Sequence, residues 1–185
     1  MTIPDVDDRE VFLSFTQLPE VGQSPTPDQQ QQPWYLVAQV KDDMTINKPT
    51  LVLTDRDGSP FALVFEGLER DGLDLKRLGL KKGATAVVPR ARRTPPKEAG
   101  KRGFVAVEKG RAAEVRAVPG PLEEALELAR RMRAMDAARE AGQAEDPCAG
   151  GCGKGGEGGG LVKCTGCGRV RYCGKVSESS TSGEG

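Results

Sequence analysis

Short apolar runs recur between residues 34 and 119, separated by stretches rich in Gly, Pro and Asp. Most of these runs contain β-branched or aromatic residues and are bounded by turn-forming residues, which is the pattern of β-strands. The pattern predicts strands at Trp34–Val40, Thr50–Thr54, Phe61–Phe65, Ala84–Val88, Gly103–Val107 and Glu114–Val118. Between the third and fourth strands, leucines at positions 73, 75, 78 and 80 predict one or two helical turns.

A helix is predicted over residues 120–143. Pro121 suits the first helical position, and Glu123 and Glu124 favour the positive end of the helix. Apolar residues recur every three or four positions and form a stripe of Leu122, Ala125, Leu126, Ala129 and Met132. This stripe either packs on the strands or is presented to a partner.

The order of these elements is that of the OB-fold, a small Greek-key barrel. We therefore expect a mainly β fold, with a small OB-like β-barrel over residues 34–119 followed by the α-helix. Residues 1–33 are acidic and end in a Pro- and Gln-rich run, which predicts a flexible N-terminal segment. Within it, Val11–Phe15 is apolar enough to add one strand to the barrel.

The composition excludes several classes of function. The chain has 185 residues, with 27 Lys and Arg against 27 Asp and Glu, and it contains no His. Without His, a Ser-His-Asp or Cys-His catalytic arrangement and an imidazole metal ligand are both impossible. A Walker loop, a dinucleotide fingerprint and a nucleophile elbow are also missing from the sequence. We therefore expect no catalytic residues and no enzymatic activity.

The sequence also predicts where the protein is found. It has no apolar run near the ~18–20 residues that span a bilayer, so no membrane association is expected. Residues 1–10 are acidic and lack the apolar core of a signal peptide. We therefore expect an intracellular protein of the cytoplasm or nucleus, where cysteines stay reduced.

Positive charge is concentrated in residues 89–103, the basic loop, which hold six Lys and Arg and one acid. In an OB-fold this is the loop between the fourth and fifth strands, where such folds bind nucleic acid. The candidate phosphate-binding residues are Arg90, Arg92, Arg93, Lys97, Lys101 and Arg102. Two other interpretations stay open: a solvated loop, or a docking site for an acidic segment such as residues 1–10. Few aromatic residues are left for base stacking, because those at 61, 65 and 104 are predicted to lie in the core.

All five cysteines fall near the C-terminus, at Cys148, Cys152, Cys164, Cys167 and Cys173. In a reducing compartment such a cluster favours zinc over disulfides. The Cys164-x2-Cys167 spacing presents two thiolates to one ion, and Gly166 and Gly168 allow the tight turn that this requires.

The segment Cys164-Thr-Gly-Cys-Gly-Arg-Val-Arg-Tyr-Cys173 resembles the middle of a MYND-type zinc finger. The resemblance covers residues 148–173 and implies two interleaved zinc sites. One would use Cys148, Cys152 and Cys173, and the other would use Cys164 and Cys167. It also implies an interaction module that binds proline-containing peptide segments of other proteins.

The chain departs from the family pattern in three ways. Its first cysteine pair has three intervening residues where the family usually has two, Ser177 replaces the next cysteine, and the terminal His and Cys are missing. The finger is therefore expected to be an incomplete remnant, with a disordered tail over residues 174–185. Lys175-Val176-Ser177 can be encoded by AAG-GTG-AGT, a donor splice sequence, so we expect the tail to be intron read-through in a truncated version of a longer protein.

The remnant leaves three zinc stoichiometries open. One zinc per chain corresponds to a four-thiolate site of Cys148, Cys152, Cys164 and Cys167, with Cys173 free. Two correspond to the family layout, and none corresponds to an unfolded segment. The sequence as a whole predicts a non-enzymatic, zinc-binding adaptor for protein–protein interaction. The alternative is nucleic-acid binding through the barrel and the basic loop.

Overall fold

The computed structural model describes residues 4–23, 32–96, 103–141, 161–165 and 171–172. The chain divides into two compact units, Pro4–Arg130 and Met1–Ile3 with Arg131–Gly185. The described residues are mainly β. They form one mixed sheet, one α-helix and a separate two-stranded hairpin.

Eight strands make up the sheet: β1 (Phe12–Leu13), β2 (Tyr35–Asp43), β3 (Thr50–Asp55), β4 (Pro60–Glu66), β5 (Thr85–Pro89), β6 (Arg93–Thr94), β7 (Phe104–Glu108) and β8 (Arg116–Val118). The six strands predicted between residues 34 and 119 are confirmed, with ends that differ by no more than three residues. The first strand, β1, lies inside the apolar run that was expected to add one strand. Strand β6 was not predicted. It lies within residues 89–103, which the sequence predicted to be a loop.

The strands are ordered β6-β7-β4-β3-β2-β5-β8, and β1 pairs with β2 beside this path. Most neighbours are antiparallel, including β2 with both β3 and β5. Two pairs are parallel: β1 with β2, and β4 with β7. The chain therefore leaves β4 at Glu66, passes through β5 and β6, and returns beside β4 at Phe104.

Alternate residues of the central strands form the core. In β3 and β4, Leu51, Leu53, Leu63 and Phe65 are fully buried, while the residues between them are mostly partly exposed. This alternation follows from the period of two along a strand. Burial of these side chains is the main stabilising contribution of the sheet, at roughly 1.5–3 kcal/mol for each large apolar residue.

The connection between β4 and β5 forms hydrogen-bonded turns, where the sequence predicted helical turns. The Leu78 amide donates to the Asp74 carbonyl at 3.1 Å, and the Leu80 amide donates to the Leu75 carbonyl at 2.9 Å. Gly79 then adopts a φ of +76°, which reverses the chain before a helix can continue. Leu75 and Leu80 still reach the core from these turns.

Much of the N-terminal segment is packed on the sheet, which differs from the flexible segment expected for residues 1–33. Val6, Phe12, Leu13 and Leu18 are buried, and Phe12 stacks on Tyr35 with ring centroids 5.7 Å apart. The difference has a simple cause: the apolar residues of this segment are few, but they are spaced so that each finds a place against β2 or the core. The Pro- and Gln-rich run at residues 24–31 lies outside the described residues.

Ion pairs accompany this packing. Asp7 accepts hydrogen bonds from both Nε and Nη2 of Arg130 at 2.8 Å, and Arg9 donates to Asp57 at 2.9 Å. The Arg130 guanidinium lowers the pKa of the Asp7 carboxyl, and the Arg9 guanidinium lowers the pKa of Asp57. Burial lowers the pKa of Arg56, which donates from Nη2 to the Val6 carbonyl at 2.6 Å.

Helix α1 (Leu122–Glu140) occupies most of the predicted range of residues 120–143. Its first residues carry the predicted apolar stripe: Leu122 is buried, and Leu126 and Ala129 pack against the cluster that contains Val6 and Val37. The interpretation that this part of the stripe packs on the strands is therefore confirmed. The N-terminal segment and the first turns of α1 together cover β2 on the side away from the main core.

A two-stranded hairpin lies in the cysteine-rich part of the chain. Strands β9 (Val162–Lys163) and β10 (Arg171–Tyr172) are antiparallel, with Lys163 opposite Arg171 and Val162 opposite Tyr172. Seven residues connect them, and these include Cys164 and Cys167. Most of the segment predicted as a zinc-finger remnant, residues 148–173, and the whole tail, residues 174–185, lie outside the described residues.

Candidate nucleic-acid interface

The outward-facing residues of β3, β4 and β7 form an apolar surface. Val52 lies opposite Ala62 and Ala62 opposite Phe104, while Val64 lies opposite Ala106 in the next row. We call these five residues the outer face. All are partly exposed except Val64, which is 9% exposed. Four of them line a shallow cavity of about 280 Å³.

Phe104 corrects a prediction made from the sequence. Phe61 and Phe65 are buried in the core as expected, but Phe104 is partly exposed and lies outside the core cluster. The reason is the alternation along β7, in which Val105 and Val107 are the buried residues. The sequence shows this alternation, because Val105 and Val107 alternate with Phe104 and Ala106. It therefore predicts that Phe104 faces outward. The outer face therefore has an aromatic side chain.

The base of the basic loop adjoins the outer face. Strand β6 pairs with β7 so that Thr94 lies opposite Phe104 and Arg93 lies opposite Val105. The chain leaves the sheet after Thr94 and returns at Gly103, where a Cβ atom would lie 2.7 Å from the Thr94 carbonyl oxygen. Only Gly allows so close an approach of the two chain segments. The part of the basic loop between Thr94 and Gly103 thus begins and ends beside Phe104.

The three described candidates of the basic loop have different environments. Arg90 is exposed, whereas Arg92 and Arg93 are partly buried. Lys97, Lys101 and Arg102 lie outside the described residues. Because antiparallel partners share a face, Arg93 shares the side of Val105 and not that of Phe104.

Arg90 marks the point where the chain turns out of β5. Its φ is +50°, a left-handed conformation that costs a non-Gly residue roughly 1–3 kcal/mol. Buried contacts on either side hold this turn in place. The Arg90 amide donates to the Trp34 carbonyl at 2.8 Å, and Trp34 Nε1 donates to the Ala91 carbonyl at 2.8 Å. The turn directs the Arg90 side chain into solvent.

Arg92 and Arg93 contact the chain's own N-terminal segment. Arg92 Nη1 donates to the Gln23 carbonyl at 2.6 Å, and Arg93 Nη2 pairs with Glu20 Oε1 at 2.9 Å. The main chain adds two bonds between Arg93 and residues 19–21, from Arg93 to the Pro19 carbonyl at 3.0 Å and from Val21 to the Arg93 carbonyl at 2.9 Å. Residues 19–23 of the same chain therefore contact the basic loop, and Glu20 is the one acid among them.

A second cavity, of about 270 Å³, lies between β5 and β7. These two strands are not neighbours in the sheet. Val88 and Val107 contribute to its apolar walls, and Arg90 and Arg92 stand among its lining residues. Arg111 bridges the cavity, since its Nη2 donates to the Pro89 carbonyl at 2.8 Å and also pairs with Glu114 at 3.0 Å. Arg111 thus connects the segment that follows β7 to the end of β5.

Of the five predicted zinc ligands, only Cys164 lies in the described part of the chain, as a partly buried free thiol directly after β9. Cys148, Cys152, Cys167 and Cys173 lie outside it. Among the described residues, no three Cys, Asp or Glu side chains come together as a possible metal site. The zinc site stays a prediction.

No protein-family model matches the chain, and no curated protein matches it. One match among solved structures is the crystal structure of Schizosaccharomyces pombe Pot1pC bound to the single-stranded DNA CGGTTACGGT. It has 12% sequence identity, covers 63% of this chain and 98% of that chain, and has a TM-score of 0.35. At this TM-score the likeness carries no argument about the present chain. Within the described residues, no helix is long and apolar enough to cross a membrane.

Proposed function

We propose that this protein binds single-stranded nucleic acid across the outer face, with the basic loop contacting the phosphates. The observation that carries the proposal is that the part of the basic loop after Thr94, which holds Lys97, Lys101 and Arg102, begins and ends beside Phe104, a partly exposed aromatic residue on an apolar surface. Bases stack on exposed aromatic and apolar side chains, and adjacent Lys and Arg bind the backbone. This combination favours a strand with unpaired bases over a duplex.

The strand pairing supports the same proposal. Strands β2, β3, β4, β5 and β7 follow the element order of an OB-fold, and β2 pairs with both β3 and β5. OB-folds bind oligonucleotides over their second and third strands and the loop between the fourth and fifth. In this chain those positions are β3, β4 and the basic loop. The proposed role is binding, without a catalytic step.

Fluorescence anisotropy with labelled single-stranded DNA, single-stranded RNA and duplex DNA tests the proposal. We expect the single strands to bind more tightly than the duplex, and binding to weaken steeply between ~50 and ~200 mM salt. Replacing Phe104 by Leu preserves apolar bulk and removes stacking, so we expect at least a fivefold loss, the low end of ~1–3 kcal/mol per stacked base.

A pair of charge variants separates specific contacts from net charge. Lys97→Gln, Lys101→Gln and Arg102→Gln together remove three charges from the basic loop. Lys76→Gln, Arg77→Gln and Lys81→Gln remove three exposed charges from the turns between β4 and β5. We expect the first triple variant to lose at least tenfold in affinity and the second to change it little. Equal losses, or tight binding by Phe104→Leu, would contradict the proposal.

We infer a second function for the cysteine-rich segment, as a zinc-binding module for protein–protein contacts. The observation in its favour is the β9–β10 hairpin, which brings the two ends of the Cys164–Val170 segment together. The five cysteines between residues 148 and 173 are a suitable donor set for zinc, and Cys164 and Cys167 have the spacing of a zinc knuckle. Zinc would stabilise the fold of such a small module.

Metal analysis of the purified protein tests this second function. One zinc per chain that persists in Cys173→Ser supports a single four-thiolate site, and two zinc ions that decrease in Cys173→Ser support the two-site layout. Zero zinc in protein prepared under reducing conditions overturns the inference. Binding of proline-containing peptides, followed by NMR titration, is expected to disappear with a chelator and in Cys164→Ser.

A further inference from the structure

Residues 19–23, which we call the latch, pair with both arginines at the base of the basic loop. The latch lies parallel to β6 through an isolated bridge between Glu20 and Arg93, which is closed by the two main-chain hydrogen bonds of Arg93. Glu20 adds a carboxylate at 2.9 Å from Arg93, and Gln23 adds a carbonyl at 2.6 Å from Arg92.

The ligands that the latch supplies have the chemistry of a phosphate backbone. A carboxylate and a carbonyl oxygen accept hydrogen bonds from guanidinium groups as phosphate oxygens do, and a backbone phosphate carries one negative charge, as the Glu20 carboxylate does. The N–H groups that Arg92 Nη1 and Arg93 Nη2 donate to the latch are therefore not available to a phosphate while the latch is in place. Arg90 stands beside them, and its exposed side chain makes no hydrogen bond or ion pair with any described residue, so it is open to a ligand while the latch is in place.

The ion pair of the latch is weak. The Arg93 and Glu20 side chains are 33% and 32% exposed, and ion pairs with this degree of exposure contribute little in salt. Arg93 Nε is buried and has no acceptor among the described residues, so the guanidinium is incompletely satisfied by Glu20. The firm anchor of this part of the chain is Leu18, which is 2% exposed and precedes the latch. The latch can therefore detach while the segment before it stays packed.

We propose that the latch is an internal competitor of nucleic acid: it occupies Arg92 and Arg93 in the free protein and is displaced when a strand binds. This inference rests on the proposed function of the outer face, and it requires the strand to continue from Phe104 around the edge strand β6, because Arg93 lies on the side of Val105. Its consequence is that the free protein binds nucleic acid more weakly than its arginines allow. Loss of the Glu20 carboxylate would then raise the affinity, although Glu20 would touch no part of the ligand.

The test compares Glu20→Gln with Glu10→Gln in anisotropy titrations of a labelled single strand at ~50 mM salt. Glu10 is an exposed acid of the same N-terminal segment, so both variants raise the net charge by one. We expect Glu20→Gln to bind about two- to fivefold more tightly than wild type, the range of an exposed ion pair. We expect Glu10→Gln to bind like wild type. In an Arg93→Gln background, the gain from Glu20→Gln is expected to vanish.

Hydrogen exchange gives a second readout that does not depend on affinity. The Val21 amide donates to the Arg93 carbonyl at 2.9 Å in the free protein. If the latch is displaced, protection of this amide falls when the strand binds, whereas the core amides stay protected. Unchanged protection at Val21 under saturating ligand would overturn the inference.

The outcomes separate the two proposals. If wild type and Glu20→Gln bind equally, the outer face binds nucleic acid but the latch does not compete, and the inference is wrong. If Glu10→Gln gains as much as Glu20→Gln, the effect is general electrostatics, and the inference is again wrong. If neither wild type nor Glu20→Gln binds any strand, the proposed function itself fails.

Discussion

The main-chain amide of Phe15 donates a hydrogen bond to Oδ2 of Asp55 at 2.7 Å. Asp55 is only 3% exposed, and its other oxygen accepts from the amides of Asp57 and Ser59 at 3.0 and 2.8 Å. One carboxylate therefore closes the β3–β4 turn and fixes the N-terminal segment to it. Phe15 in turn stacks on Phe61, with centroids 4.7 Å apart, so the same junction extends into the core.

Replacing Asp55 by Ala removes the acceptor for three amides. Leaving such donors without a partner is costly, so we expect a loss of about 2–4 kcal/mol in the free energy of unfolding. Urea denaturation measures it. Asp57→Ala is the matched control, because its carboxylate makes an exposed pair with Arg9 and should cost less than about 1 kcal/mol. Similar losses for both variants would show that Asp55 does not join the two segments.

The pair of Asp7 and Arg130 should make stability depend on pH at the acid end. Because Arg130 lowers the pKa of Asp7 in the folded state, the pair stabilises the protein above the ordinary carboxyl pKa of about 3.9. That contribution is lost as the pH falls through the lowered pKa. We expect Arg130→Gln to be less stable than wild type at pH 7, with the difference shrinking towards zero as the pH falls through the lowered pKa of Asp7.

Urea midpoints of the two proteins between pH 7 and pH 2.5 measure this effect. Arg131→Gln, which removes the same charge one position along the helix, serves as the control. A constant difference between wild type and Arg130→Gln at all pH values would mean that Arg130 stabilises through packing and not through Asp7.

Gly103 should tolerate no side chain. An added Cβ would lie 2.7 Å from the Thr94 carbonyl oxygen and 3.2 Å from Cζ of Phe15, so Gly103→Ala must shift the base of the basic loop. We expect a loss of about 1–3 kcal/mol in stability together with weaker nucleic-acid binding. Gly110→Ala is the control, because no atom lies within 4 Å of its added Cβ. Wild-type stability of Gly103→Ala would contradict the close approach of the two segments.

Arg90 should show opposite effects on stability and binding. Gly adopts a positive φ without strain, so Arg90→Gly should leave the free energy of unfolding unchanged or raise it by up to about 1 kcal/mol. The same change removes an exposed charge at the edge of the proposed site and should weaken nucleic-acid binding several-fold. Urea denaturation and anisotropy titration measure the two effects. If Arg90→Gly is stable and binds with wild-type affinity, Arg90 does not contact the nucleic acid.

The strands were predictable from the sequence because their apolar alternation is local. Leu51, Leu53, Leu63 and Phe65 alternate with less buried residues, and six strand predictions based on such patterns are confirmed. The packed N-terminal segment was harder to foresee, since a short strand such as β1 forms only against a partner distant in the chain. Its composition is acidic, and composition does not reveal that the few apolar side chains all find a place in the fold.

The candidate site was predictable only in part for the same reason. The charge of the basic loop was plain in the sequence, and Arg90 lies exposed as a site residue requires. The contacts of Arg92 and Arg93 with residues 19–23 join positions about 70 apart, and no local pattern encodes them. The exposure of Phe104 follows from alternation along its own strand, but its importance depends on the parallel pairing with β4.

The parallel pairing of β4 with β7 also determines when the outer face can form during synthesis. Val52 and Ala62 are joined by a tight hairpin, yet their neighbour Phe104 arrives 42 positions after Ala62 in the chain. As the protein is synthesised from its N-terminus, β3 and β4 emerge long before β7. The nascent chain therefore exposes the edge of β4 until Glu108 has left the ribosome, and the outer face does not exist before then.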